Sequence, residues 1–184
     1  MKRINIQRAA WTGAIALSGI CLTQSSLLAR SQRHHQYNRI SNTDVKFISR
    51  ASQDGLAEVQ LGELAQRRGA SRAVRDFGRR MVEDHTKAND ELIRLGGQRG
   101  VLPPTTKGKK HIGEYNRLSR LGSVAFDRAY MHDMVRDHVR AIGNFRSEAD
   151  HGTDHNVATF ASRTLPTLEM HLRMAREIAA QVGS

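Results

Sequence analysis

Gly69-Ala70-Ser71-Arg72-Ala73-Val74-Arg75-Asp76-Phe77 and Gly152-Thr153-Asp154-His155-Asn156-Val157-Ala158-Thr159-Phe160 share one pattern at a constant offset of 83 residues. In each stretch a glycine ends one helix. Two residues on, Ser71 or Asp154 opens the next by accepting hydrogen bonds from its free N–H groups. The Val and Phe that follow at three-residue spacing begin a core stripe. So short a connection makes the flanking helices antiparallel neighbours, and the chain reads as two related helical hairpins. A second echo sets Met81-Val82-x-Asp84-His85-x2-Ala88 against Met134-Val135-x-Asp137-His138-x2-Ala141. It links the second helix to the third, so convergent packing explains it as readily as ancestry.

Outward from the two turns the helical period continues. Ser41-Asn42-Thr43 offer capping groups for a first helix with Val45, Ile48, Ser52, Gly55, Val59 and Gly62 on its seam, ending near Arg68. The second carries Val74, Gly78, Met81, His85, Ala88, Leu92 and Leu95 and stops within Gly96-Gly97 or at Gly100. Ser123 opens the third, with Met131, Met134, His138, Ala141 and Phe145 on one stripe. Asp154 caps the fourth, where Pro166 is expected to kink the helix and free a carbonyl one turn back. About 26 residues separate the hairpins, among them Pro103-Pro104, the basic Lys107-Gly108-Lys109-Lys110 and a short helix expected over 112–121. The expected fold is all-α: a ferritin-like four-helix bundle of two antiparallel hairpins joined by a long crossover containing a short helix.

The 184 residues carry 29 Lys/Arg against 18 Asp/Glu, a net charge of +11. A 39% apolar content leaves material for a core, while 3 Pro and 5% aromatics argue against a many-stranded β protein. One cysteine excludes a disulfide framework and a thiolate zinc site. Lys2, Arg3 and Arg8 precede an apolar run over 9–22, and Ala29 offers a small residue for cleavage, the pattern of a secretory signal. The run is too short to span a bilayer. Ile20 stands where a lipobox needs a small residue before Cys21, so lipidation is set aside. Residues 1–29 read as signal, 30–42 as a polar tether and 43–183 as the bundle. Cleavage removes three of the 29 cations, leaving 26 against 18 anions, a net of +8, and takes away Cys21. The expected location is the periplasm or another exported compartment, with no membrane-spanning segment after cleavage.

Three of the nine histidines fall on the apolar stripes: His85, His138 and His171, one from each of three helices and each near mid-helix. Glu58, on the first helix, belongs to the same central zone. Asp84, Asp137 and Glu169 flank the three histidines as alternate ligands or as acceptors for an imidazole N–H. Inward-facing imidazoles and carboxylates at mid-bundle are how helical bundles hold metal ions, so these four residues are the candidate ligands of one transition-metal ion. The competing reading makes the histidines structural, each hydrogen-bonded to a neighbouring carboxylate in a polar core layer. No Glu-x-x-His occurs: Val82, Val135 and Leu168 stand three residues before the histidines. That speaks against a dinuclear iron centre. Met81, Met131, Met134, Met170 and Met174 raise soft-metal binding, but core packing explains them first.

Glu58-Val59-x-Leu61-Gly62-x-Leu64-Ala65, Met81-Val82-x-Asp84-His85-x3-Asn89, Tyr130-x3-Met134-Val135-x-Asp137-His138 and Thr164-Leu165-Pro166-x4-His171-Leu172-x-Met174-Ala175 resemble the ordered motifs of the domain of unknown function 4142 family. The resemblance covers about residues 44–180. It implies an exported bacterial protein of ferritin-like fold, often labelled an outer membrane protein, and it brings no activity. No alternating ~10-residue segments of a transmembrane barrel are present.

Two functions follow. The first, which the sequence favours, is a non-enzymatic exported bundle of the envelope with a role in stress or interaction. The second is a metal-binding ferritin-like protein. The cations are spread over every helix without an aromatic–basic motif, so nucleic acid is set aside as a partner. A polyanion or envelope contact through the basic surface, Lys107–Lys110 included, stays open. No serine elbow or phosphate loop points to an enzyme.

Overall fold

The structure, a computed structural model, describes residues 40–183; the signal, Cys21 and nearly all of the tether lie outside the described residues. Five helices and no strand are found among them: α1 (Asn42–Arg68), α2 (Arg72–Gln98), α3 (Lys109–Leu118), α4 (Ser123–His151) and α5 (His155–Gly183). The molecule is an all-α bundle in which α1 packs chiefly on α2 and α4 on α5. No described helix is long and apolar enough to cross a membrane.

The caps fall at the expected side chains. Ser41 Oγ accepts from Asp44 N at 3.1 Å, Ser71 Oγ from Val74 N at 3.2 Å, and Asp154 Oδ1 from Asn156 and Val157 N at 3.0 and 3.2 Å. Gly100, at φ 69°, ends α2 in the left-handed conformation, and Val101 N donates to Gly96 O at 2.8 Å. Gly69 and Gly152 keep φ near −58° and −59°, so left-handed backbone is not why they are glycine. A Cβ at either would stand 2.7 or 2.5 Å from the carbonyl of Ala65 or Glu148.

The 83-residue offset reappears as a reciprocal clasp. Asp127, at the start of α4, accepts from Ala70 N (2.9 Å) and Ser71 N (2.8 Å) in the α1–α2 turn. Asp44, 83 residues earlier at the start of α1, accepts from Thr153 N (3.1 Å), Thr153 Oγ1 (2.7 Å) and Asp154 N (2.9 Å) in the α4–α5 turn. Each hairpin's first helix thus holds the other hairpin's turn, which sets α1 and α4 antiparallel. Both carboxylates are buried.

α1 and α2 meet at paired glycines. A Cβ on Gly78 would lie 2.6 Å from Gly62 O and 2.8 Å from Ala65 Cβ. Gly78→Ala forces backbone apart, and that overpacking outweighs the ~1 kcal/mol gained in helix propensity, for an expected net loss of about 2 kcal/mol. Gly143, exposed on α4, has nothing within 4 Å of a built Cβ. Gly143→Ala should therefore stabilise by up to ~1 kcal/mol. Urea midpoints that move in the same direction for both would contradict this packing.

The crossover helix α3 lies earlier than the 112–121 expected. It is anchored by His111, whose Nε2 bonds Asp54 of α1 at 2.8 Å, and by Leu118, fully buried. Arg136 of α4 ties Glu114 and Asp133, each at 2.8 Å, and Arg117 pairs with Asp133. Lys107 donates to Gln60 and sits over the Tyr115 ring, and Lys110 is 3.9 Å from Asp137, so two cations of the basic loop are engaged within the fold. α5 runs unbroken through Pro166.

The core falls into two clusters. One gathers Leu61, Phe77, Met81, Tyr130, Met131 and Met134; the other gathers Ile48, Leu92, Phe145, Val157, Phe160 and Leu168. Along each helix the three seam histidines stand between members of the two.

Candidate metal centre

α2, α4 and α5 bring His85, His138 and His171 together. One ring nitrogen of each lies within 4.8 Å of the other two, and the ring centroids are 5.3–5.9 Å apart. His138 and His171 are buried and His85 is partly so. The edge of Phe77 closes the cluster, 6.5 Å from His138 and 6.4 Å from His171.

Hydrogen bonding fixes two of the three tautomers. His138 Nδ1 is 2.9 Å from Met134 O, a carbonyl that only accepts, so Nδ1 carries the proton. His171 Nε2 is 2.9 Å from Asp84 Oδ2 and donates to it. In neutral rings this leaves lone pairs on His138 Nε2 and His171 Nδ1. Those two atoms and His85 Nε2 are buried without a partner. A structural layer would have paired each imidazole with a carboxylate; only His171 is so paired. Buried orphan acceptors cost stability unless something occupies the space between them.

The rings are neutral at pH 7. Burial, then the charges of His138 and His171, hold His85 well below the ordinary histidine value. Burial, then His171, brings His138 to about 4, and burial lowers His171 against the pull of Asp84. Neutral imidazole is the form a metal takes without first expelling a proton. Bonds of ~2.0–2.1 Å put tetrahedral ligand atoms ~3.3–3.5 Å apart, so nitrogens at up to 4.8 Å must draw together by up to ~1.3–1.5 Å.

The same shifts set the pH response of the metal-free protein. Folded pKa values below the unfolded 6.5 mean that the unfolded chain binds more protons between about pH 4 and 6.5, so stability falls as pH drops through that window. His138 alone should cost about 2 kcal/mol at pH 5 relative to pH 7.5. Urea titrations after chelation check this: His138→Gln should flatten the dependence, and an unchanged slope would contradict it.

The remaining expected ligands separate. Asp84 supports His171 from outside the ring cluster. Asp137 faces Arg140 at 2.8 Å, and Glu169 pairs with Arg146 at 3.0 Å on an exposed face. Glu58 is buried but outside the histidine triad. Its Oε2 has no partner, and burial, followed by the charges of Asp137, Glu114 and Asp54, raises its pKa well above normal. Tyr130, also raised by burial and then by Glu58, keeps an unpartnered hydroxyl.

Sequence reasoning gave no role to His111, Glu114 or Asn89. The hydrogen bond to Asp54 and then the Glu114 carboxylate, 3.5 Å from Nδ1, raise His111 to about 9. Burial opposes ionisation of Glu114, but the neighbouring His111 and the charge of Arg136 hold it at about 2. His111 sits in a stretch that reads as basic loop, and Asn89 as one more polar helix residue. Asn89 is marked only as the last residue of the Met81–Asn89 motif, one turn beyond His85.

An all-α bundle with a buried triad of neutral imidazoles is the class that fold and site define. The chain belongs to the family described as a domain of unknown function (DUF4142), whose model matches residues 29–178. No curated protein matches it. Among solved structures it is similar to a DUF305 fragment from Deinococcus radiodurans, with TM-score 0.69 and 17% identity, over 78% of this chain and 99% of that one. It is also similar to a conserved hypothetical protein, rv2844, from Mycobacterium tuberculosis, with TM-score 0.59 and 17% identity, over 75% of this chain and 91% of that one. At that identity the likeness concerns the helical fold.

Proposed function

We propose that this protein binds one transition-metal ion through His85, His138 and His171, within a ferritin-like bundle exported to the periplasm or envelope. The observation that carries the reading is the set of three buried, unpartnered ring nitrogens, one from each of three helices. Three imidazoles suit Zn(II), Cu(II), Co(II) or Ni(II) and not Mg(II) or Ca(II), which prefer oxygen. Asp84 and the Met134 carbonyl orient two ligands from behind, as outer partners of metal-bound histidines do. A bound ion supplies a Lewis-acidic centre with room for an outside donor. Export rests on the 1–29 leader and its thiol-free remainder, and the basic surface suits contact with envelope polyanions. No residue set for an enzymatic reaction enters the reading.

Protein purified without a histidine tag, dialysed against Zn(II), Cu(II) or Co(II) and analysed for metal, tests it. One ion per chain is expected, falling to background in His85→Ala/His171→Ala. Metal-free wild type, or equal content in wild type and mutant, would refute the site.

A further inference from the structure

The 83-residue repeat gives each ligand a counterpart in the other hairpin: Gly55 for His138, Ala88 for His171 and Leu168 for His85. None of these can bind metal, and two are the smallest side chains available. All three line a cavity of about 200 Å³ that also reaches the three histidines. Where symmetry would set a second metal site, the sequence has cleared space. A Cβ on Gly55 would strike Asn89 Oδ1, so the missing side chain is what seats the Asn89 amide.

The cavity is graded in chemistry. At its inner end stand the imidazoles, Asn89 with both amide atoms unpartnered, and Glu58 with Oε2 unpartnered. Both polar side chains are more than nine-tenths buried. Phe47, Ala51, Leu92, Phe145 and Phe160 make apolar walls. Lys46 and Arg50 of α1, exposed and in no ion pair among the described residues, stand at the solvent edge with Arg140 of α4.

We propose that this cavity binds a small monoanion, up to a benzoate in size, whose donor atom completes the coordination of the ion held by His85, His138 and His171. The inference rests on the metal reading above. Size follows from the volume, since a 150 Å³ cavity takes benzene. Sign follows from the unpaired cations at the edge and the positive ion within. The Asn89 amide and the Glu58 carboxyl, kept neutral by burial, supply hydrogen bonds to an anion that water cannot supply so deep in the bundle.

The Co(II)-loaded protein tests this through its visible ligand-field bands, with azide and benzoate as probes and neutral imidazole as control. Both anions should shift the bands saturably. Ala141→Leu, which fills the cavity wall, should abolish the benzoate response while Co(II) still binds. Arg50→Glu, on the exposed face, should weaken azide by about tenfold and leave imidazole little changed. Bands that ignore both anions, or shift equally in Ala141→Leu, would overturn the ligand site and leave the metal site standing. Equal cobalt binding by wild type and His85→Ala/His171→Ala, or none by either, would overturn both.

Discussion

Asp44→Ala is expected to lower the unfolding free energy by about 3–4 kcal/mol, and Asp127→Ala by about 2–3 kcal/mol. Asp44 accepts three hydrogen bonds from Thr153 and Asp154, and Asp127 accepts two from Ala70 and Ser71. Each truncation removes the buried acceptor of a turn that is itself half-buried to exposed, and an unsatisfied donor costs ~1–3 kcal/mol where water does not reach it. Partial re-solvation of the turns keeps the total below the full sum. Against an ordinary domain stability of ~5–15 kcal/mol these are large losses. Asp44→Asn, which keeps an acceptor oxygen, should recover about half of the loss. Those bonds hold the Asp44 carboxyl below its ordinary value, although burial, the largest influence, works the other way. Its contribution is therefore present above the unfolded pKa and fades as pH falls through the lowered folded value. Glu148, pushed to about 7 by burial and then by Asp44, gains a little when Asp44 goes, which sets the upper bound on the effect. Urea unfolding reads all of these directly; losses under ~1 kcal/mol for both alanine variants would mean the clasps do not hold the hairpins together.

The second large effect is stabilisation by metal. A ligand that binds only the folded chain adds RT ln(1 + [L]/Kd), about 2.7 kcal/mol at a hundredfold excess over Kd. For a body of this size that is roughly 8 °C in Tm. Zn(II) or Cu(II) added to chelator-treated protein should produce this shift at neutral pH and lose it only near and below about pH 4, where protons begin to compete for the lowered imidazoles of the folded chain. His138→Ala and His171→Ala change stability in their own right by opening space in the core. The readout is therefore the increment on adding metal, which should vanish in both. An increment that survives either substitution would place the ion elsewhere.

Much of this architecture is legible in residues with local consequences. Ser41, Ser71 and Asp154 cap helices because their side-chain oxygens reach N–H groups two or three residues on, and that chemistry depends on nothing distant. The three histidines were legible because helical spacing gave both their stripe and their level in the bundle. Glu58 shows where that reasoning ends. Its position fixes a height along α1, but the direction of the side chain depends on how the hairpins pack, and that leaves it beside the triad. Val45 and Val59, expected on the seam of α1, are only half-buried, while Phe47, Ala51, Leu61 and Leu64 form its buried face. Asp44 stands in the first turn of α1, where an acidic residue suits the helix dipole whatever else it does. Its partners are more than a hundred residues away, and no local pattern announces them. The cavity was least legible of all, because Gly55 and Ala88 make it by what they lack.

The central claim is that the three orphan nitrogens share one ion, and anomalous diffraction from a crystal grown with Zn(II) tests it at the atoms concerned. The account predicts one strong peak per chain, ~2.0–2.1 Å from His85 Nε2, His138 Nε2 and His171 Nδ1, with His138 Nδ1 still on Met134 O and His171 Nε2 still on Asp84. A crystal with zinc only at surface sites, and an ordered water bridging the three rings, would contradict it.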